Sequence, residues 1–296
     1  MAKQKKQHTI PKSYLSAWIE PVTPTGQSSA IWRITKDRSE KRRRSPAKSF
    51  TETDRYTIHL RNGERDLSVE NTLGRTEFDF QDVLRAVRRK LPLTLTQKAK
   101  LSVFTAAMLG RCTRQGDHWK QQWDSHVEKI KRIERRYVAE GALMSDQLVE
   151  ANQDSHARLV INTIATCAPI LFAMNLTILT ADDRLGFITS DAPAVMYNPR
   201  AHTLSPLYRS PGLKYPDVEI TLPLSPKYTA LFTHKPIGSF YLPLEQRLIN
   251  EVNRTTYFHC ENEFVSRTGD WDDVWFEERE MPVDAWERQQ SRFVEE

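Results

Sequence analysis

The chain reads as an α+β protein: a mostly antiparallel sheet with a layer of three long helices inserted between N-terminal and C-terminal β segments. Three observations predict this. The first sixty or so residues hold short strand-like runs and turns, the apolar spacing then changes to three- and four-residue steps from Ser68 to about Phe172, and strand-like runs return from Asn175.

Taken in order, His8-Thr9-Ile10-Pro11 leads into Tyr14, Leu15 and Trp18 at one-turn spacing, a short helix with Pro11 near its first turn. Ile31–Ile34 reads as a strand, residues 36–48 as a strongly basic loop containing Lys41, Arg42, Arg43 and Arg44, and residues 54–60 as a second strand before the Asn62-Gly63 turn. Leu73, Phe80, Leu84 and Val87 mark a helix that Pro92 ends. Thr96 would cap a second helix with Leu101, Phe104 and Met108 as its stripe, running to about Glu140, and a third helix spans about Ser145 to Phe172, with Ala157, Ile161, Ile164 and Ala168 facing inward. Asn175 to Pro193 suggests a β-hairpin turning at residues 181–186. Strands follow at 218–222 and 228–232, joined through Pro223–Pro226, then a helix at 244–258 and a short strand at Phe264-Val265. The division expected is one domain over 1–268 and an acidic, Trp-containing tail over 269–296.

Composition narrows the class. Of 296 residues 39% are hydrophobic and 27% charged, which fits a globular chain with a sizeable core; no apolar run of about 18 residues and no signal-like h-region stand out, so a cytoplasmic protein without a membrane segment is expected. Cys112, Cys167 and Cys260 are far apart and odd in number, as reduced thiols are. Residues 1–50 carry twelve Lys/Arg against three Asp/Glu and residues 261–296 four against twelve, so the two ends are oppositely charged. That asymmetry fits an electrostatic clamp, a basic face for nucleic acid with an acidic tail, or two solvated ends. No GxGxxG, Walker A, HExxH or GxSxG motif is present, so the familiar nucleotide, zinc-protease and serine-hydrolase templates have no support.

The polar residues on apolar stripes carry the chemistry. Glu77, with Glu70 on the same face, and Arg111 each project from the buried side of a helix, where an unpaired charge costs about 3–5 kcal/mol. They should face each other, either as an ion pair that fixes helix register or as part of a polar site in which the glutamates hold a divalent metal and Arg111 or Arg114 holds an anion. Asp191, at a strand end before Pro193, is placed either for chemistry or for an Asx-turn. With His8 these groups would supply one nitrogen and several oxygens around a magnesium or manganese ion. The Lys41 to Arg44 cluster is the best electrostatic footprint for nucleic acid, with Trp32 and Tyr56 as candidate stacking platforms.

The ordered set His8–Leu15, Asp54-Arg55-Tyr56, Glu70 and Glu77, Arg111–Arg114, Phe187–Pro193 and Pro223–Pro226 resembles the bacterial family of domain of unknown function 4238 over roughly His8 to Ser266. Ala192 departs from the asparagine expected between the aspartate and the proline. The resemblance implies a single family domain and a bacterial cytosolic setting, and it supplies no activity. Two functions are therefore expected, with nucleotide or small-anion sensing as a third that lacks the support of a Gly-rich loop. One is a metal-dependent phosphodiester hydrolase, a toxin or phage-defence effector, using His8, Glu70, Glu77 and Asp191 on the metal and Arg111 on phosphate. The other is a non-catalytic module binding nucleic acid or a protein partner through the 36–48 loop and the acidic tail.

Overall fold

The strand-like runs sort into two principal sheets with helices between and around them. The computed structural model describes residues 6–21, 25–26, 28–60, 62–112, 128–132, 134, 154–203 and 212–277. Its first part runs β1 (Lys6–His8), α1 (Lys12–Leu15) with a 3-10 turn to Trp18, β2 (Ile31–Thr35), β3 (Lys41–Arg44), β4 (Thr51–Thr53), β5 (Ile58–His59) and β6 (Arg65–Asp66). Three long helices follow, α2 (Ser68–Arg88), α3 (Leu95–Gly110) and α4 (Ser155–Ala173). The second part runs β7 (Asn175–Thr180), β8 (Thr189–Ser190), β9 (Val195–Tyr197), β10 (Glu219–Ser225), β11 (Tyr228–Thr233), β12 (Tyr241–Pro243), α5 (Gln246–His259) and β13 (Glu263–Ser266).

One sheet has the order β12-β7-β11-β10-β9, antiparallel except for the parallel β12–β7 pair; the other has the order β3-β2-β13-β8 and is antiparallel throughout. The class is thus α+β. Every residue of β11 is buried, which is why Tyr228–Thr233 reads as a continuous run rather than an alternating one. Pro223 through Ser225 belong to β10 rather than to a turn. The register shifts between Pro223 and Ser225, where a residue without an amide proton is tolerated.

The stretch 175–193 is not a hairpin. β7 pairs with β11 and β12 in the five-stranded sheet, whereas β8 pairs with β13 in the four-stranded one, so this stretch carries the chain from one sheet to the other. The reason lies in the connection, which is held by its neighbours and not by itself: Phe187 donates its amide to Pro226 O at 2.7 Å and Asn253 accepts from the Ile188 amide at 2.9 Å. Gly186 has φ +67, and a Cβ there would run into the Pro226 carbonyl. Gly186→Ala should therefore lower stability by about 2–3 kcal/mol, a loss readable in urea unfolding, since strain and overpacking add.

Tyr14, Trp18, Phe80 and Phe104 tie the N-terminus to the helices, with the Phe80 and Phe104 rings stacked at 4.0 Å. The fully buried Tyr14 hydroxyl donates to Pro223 O at 2.7 Å, so its 2.7 Å contact with Thr189 must be donated by the Thr189 hydroxyl. Burial pushes the Tyr14 phenol strongly up, and the Thr189 bond pulls it only partly back. Tyr14→Phe strands both partners and should cost about 1–3 kcal/mol, with the loss seen in equilibrium unfolding.

Thr94, not Thr96, caps α3, in a capping box with Gln97. Leu101, Phe104 and Met108 face inward as expected, and the helix ends at Gly110, where a Cβ would lie 3.0 Å from Thr163 Cβ of α4. The glycine lets α3 pack closely on α4 while its other side packs on α2. Past Cys112, the expected continuation toward Glu140 falls outside the described residues except for 128–132 and 134, which are helical. On α4, Ala157 and Ala168 are buried but Ile161 faces out. Among the described residues one helix, His156–Ala173, is long and apolar enough to cross a membrane by length and composition alone, a test that the core helix of a soluble protein also passes. Beyond 268, a 3-10 turn at Asp273–Phe276 docks on α5: Trp275 is fully buried and donates to Asn250 Oδ1 at 3.0 Å.

Candidate functional site

Arg111 caps the C-terminus of α3, where the helix dipole favours a cation, yet its side chain turns inward and is 2% exposed. Its Nη2 donates to Glu77 Oε1 on α2 at 2.7 Å. The expected partnership of these two residues is present. Below the guanidinium lies the Tyr56 ring, 5.7 Å from Cζ to centroid. Tyr56 follows a turn in which Asp54 has φ 56, and it is clamped by Gln7 of β1. Gln7 Oε1 accepts from the Tyr56 amide at 2.6 Å, while its Nε2 donates to Thr57 Oγ1 at 3.0 Å and to Glu70 Oε2 at 2.9 Å.

Two donors of Arg111, Nε and Nη1, are buried beside this ring and make no hydrogen bond, and the Arg55 Nε is likewise buried without one. Arg55 donates through Nη1 to Glu52 at 2.5 Å, and its side chain is 4% exposed. Its guanidinium lies against the Tyr56 hydroxyl and favours the charged form of the phenol both by its charge and by a side-chain hydrogen bond. Burial pushes the Tyr56 phenol up, and the Arg111 and Arg55 cations oppose that shift. Each buried unsatisfied donor costs about 1–3 kcal/mol, more on a charged group, so this arrangement asks for an acceptor.

Of the other expected site residues, Asp191, Glu70 and Glu77 are already engaged by hydrogen bonds, whereas the His8 Nε2 is not. Asp191 accepts three backbone amides, from Glu261 at 2.8 Å, Asn262 at 2.7 Å and Glu263 at 3.0 Å, which makes it the anchor of the turn into β13. Cys112, next to Arg111, donates to Glu261 Oε1 at 2.7 Å, so the Asp191 turn abuts the end of α3. His8 follows Gln7 on β1, and its Nε2 is buried without a hydrogen bond. Glu70 is held by Gln7, and Glu77 by Arg111. Among the described residues no group of three or more His, Cys, Asp and Glu could hold a metal ion, so the expected set of His8, Glu70, Glu77 and Asp191 does not fit one. Burial, aided by the Asp191 charge, pushes the Cys260 thiol strongly up, which makes it inert as a nucleophile at neutral pH.

The basic cluster is an edge strand, not a loop. Ile31–Ile34 pairs with Lys41–Arg44, and Arg43 is tied to the buried Glu20, Arg42 to Glu40, and Lys41 lies 4.8 Å over the Trp32 ring. Arg44 remains exposed. Neither proposed platform is available to a base: Tyr56 is 1% exposed, and the Trp32 ring is covered by Lys41 and by the backbone at Gly269. Arg114 lies outside the described residues.

Sequence reasoning missed Gln7, Arg55 and Tyr56 as members of the centre. The single available signal was that Asp54-Arg55-Tyr56 recurs in the ordered motif set. A cavity of about 500 Å³ lies between the first turns of α2 and α4, and is lined by Ile58, Val69, Thr72, Ala157, Ile161 and Asn162 among others. Val69 and Ala157 belong to the same apolar cluster as Tyr56. A family model described as protein of unknown function (DUF4238) matches residues 6–270. Comparison with curated proteins and with solved structures finds no match.

Proposed function

Because the chain belongs to the DUF4238 family of proteins of unknown function, no inherited activity guides its reading, and we propose that it binds a phosphate-bearing ligand, a nucleotide or nucleic acid, through Arg111. The observation that carries this reading is the pair of unpartnered donors on a guanidinium that is 2% exposed. A buried planar cation with spare N–H groups suits the oxygens of phosphate. The exposed members of the basic strand, Arg44 foremost, favour approach of a polyanion by long-range attraction.

Binding is favoured over metal-dependent phosphodiester hydrolysis because the acidic residues are spent on Gln7, Arg111 and backbone amides. The test is direct. The full chain is titrated with a labelled single-stranded oligonucleotide, with magnesium or manganese or with chelator, and both anisotropy and strand integrity are followed. Binding that is lost in Arg111→Met and indifferent to metal is expected. Cleavage that requires metal and disappears in Glu77→Ala would restore the hydrolase, and absence of any binding would remove the reading.

A further inference from the structure

Resting on that reading, we infer that the centre takes a terminal phosphomonoester, the end of a nucleic-acid strand or a free nucleotide, and not the internal phosphodiesters of a chain. The donors are arranged for it. Arg111 and Arg55 present three unpartnered guanidinium nitrogens close to the Tyr56 phenol, and the three side chains are almost wholly enclosed. An internal phosphodiester carries a nucleoside on each side, so bringing it to such buried donors would require both neighbours to be threaded into the protein. A terminal phosphate has one substituent and can be inserted end-on.

Charge points the same way. The carboxylates that balance the two guanidinium groups lie toward solvent, with side chains 25% exposed for Glu77 and 45% for Glu52, whereas Arg111 and Arg55 are at 2% and 4%. The guanidinium groups are thus more enclosed than the carboxylates that balance them. A phosphomonoester brings about −1.5 to −2 charges at neutral pH and three strong acceptor oxygens, against one charge and two free oxygens on a diester. The 500 Å³ cavity beside the Tyr56 cluster is of the size that holds a small-molecule body. Because the donors are closed off from solvent, the ligand must open the contact between the Tyr56 turn and α3, and association should be slower than the typical range of about 10⁵–10⁷ M⁻¹s⁻¹.

The experiment compares one short oligonucleotide with a 5′-phosphate and with a 5′-hydroxyl, and adenosine 5′-monophosphate with adenosine, by calorimetric titration of the full chain. The phosphorylated member of at least one pair should bind about tenfold or more tightly, the preference disappearing in Arg111→Met and falling severalfold in Tyr56→Phe. Tyr56→Phe should still fold, since the buried ring stays in place and only the contact of its hydroxyl with Arg55 is lost, which circular dichroism checks. Preference in the nucleotide pair alone identifies a small-molecule ligand and preference in the oligonucleotide pair alone a strand end; both support the inference. No preference in either pair, with strand binding still lost in Arg111→Met, overturns it while leaving phosphate binding standing. No binding by any of the four compounds overturns both.

Discussion

Glu77→Ala should destabilise the protein by about 3–5 kcal/mol, whereas Arg111→Met should leave the unliganded protein equally stable or up to about 2 kcal/mol more stable. The two substitutions break one 2.7 Å contact, yet they leave different things behind. Without Glu77, the guanidinium stays enclosed at 2% exposure with no carboxylate and with all of its donors unmatched. Without Arg111, Glu77 is 25% exposed and can turn to water, while methionine fills much of the vacated space and removes two unsatisfied donors. Urea unfolding of both variants gives the order. A pair whose only task is to hold α2 against α3 would show comparable losses from either side, so a large loss in Arg111→Met would argue for a structural role. If the residue is kept for a ligand, Arg111→Met abolishes the binding that it fails to destabilise, and saturating ligand raises the stability of the wild type but not of the variant.

How much of this was legible in the sequence follows from what each signal depends on. Periodicity is local, and it found α2, α5, β10, β11 and β13 nearly in place, because Leu73, Phe80 and Leu84 must line one side of a helix whatever they pack against. It also found the Glu77–Arg111 pair, since a charge on an apolar stripe has to be answered. Pairing between strands is not local. Nothing in Asn175 to Pro193 states that β7 and β8 join different sheets; that is decided by Pro226, Asn253 and β13, far along the chain. The basic run 41–44 reads as a loop because its side chains are all polar, but an edge strand needs only one flank to pair, and exposed cations there discourage a second chain from adding to the sheet. The site was half legible for the same reason. Arg111 and Glu77 reveal themselves by their stripes, whereas Tyr56 and Arg55 sit on an irregular turn whose burial comes from Gln7 and the helices around it.

Asp191→Ala should cost about 3–5 kcal/mol, the second large effect, and the loss should appear in stability before it appears in any binding. Three backbone amides point at one carboxylate, and Asp191 returns its own amide to Glu263 O at 3.1 Å, so the end of β8 and the start of β13 are joined through this residue. Alanine leaves three amide donors facing a gap. Asparagine is scarcely better, because it keeps one acceptor oxygen and sets an NH₂ group against amides that can only donate. The thiol of Cys260 gives an independent readout. Burial is the larger reason that this thiol is held up, and the Asp191 charge adds to it, so Asp191→Ala should lower its pKa and speed its alkylation at mildly alkaline pH. A metal-ligating or catalytic aspartate would behave in the opposite order, with activity falling while unfolding and thiol reactivity stay as in the wild type. Since Glu261 of this same turn accepts from Cys112 beside Arg111, the turn also braces the end of α3. Any fall in ligand affinity in Asp191→Ala should therefore be smaller than in Arg111→Met and should recover as the fold is stabilised by osmolyte.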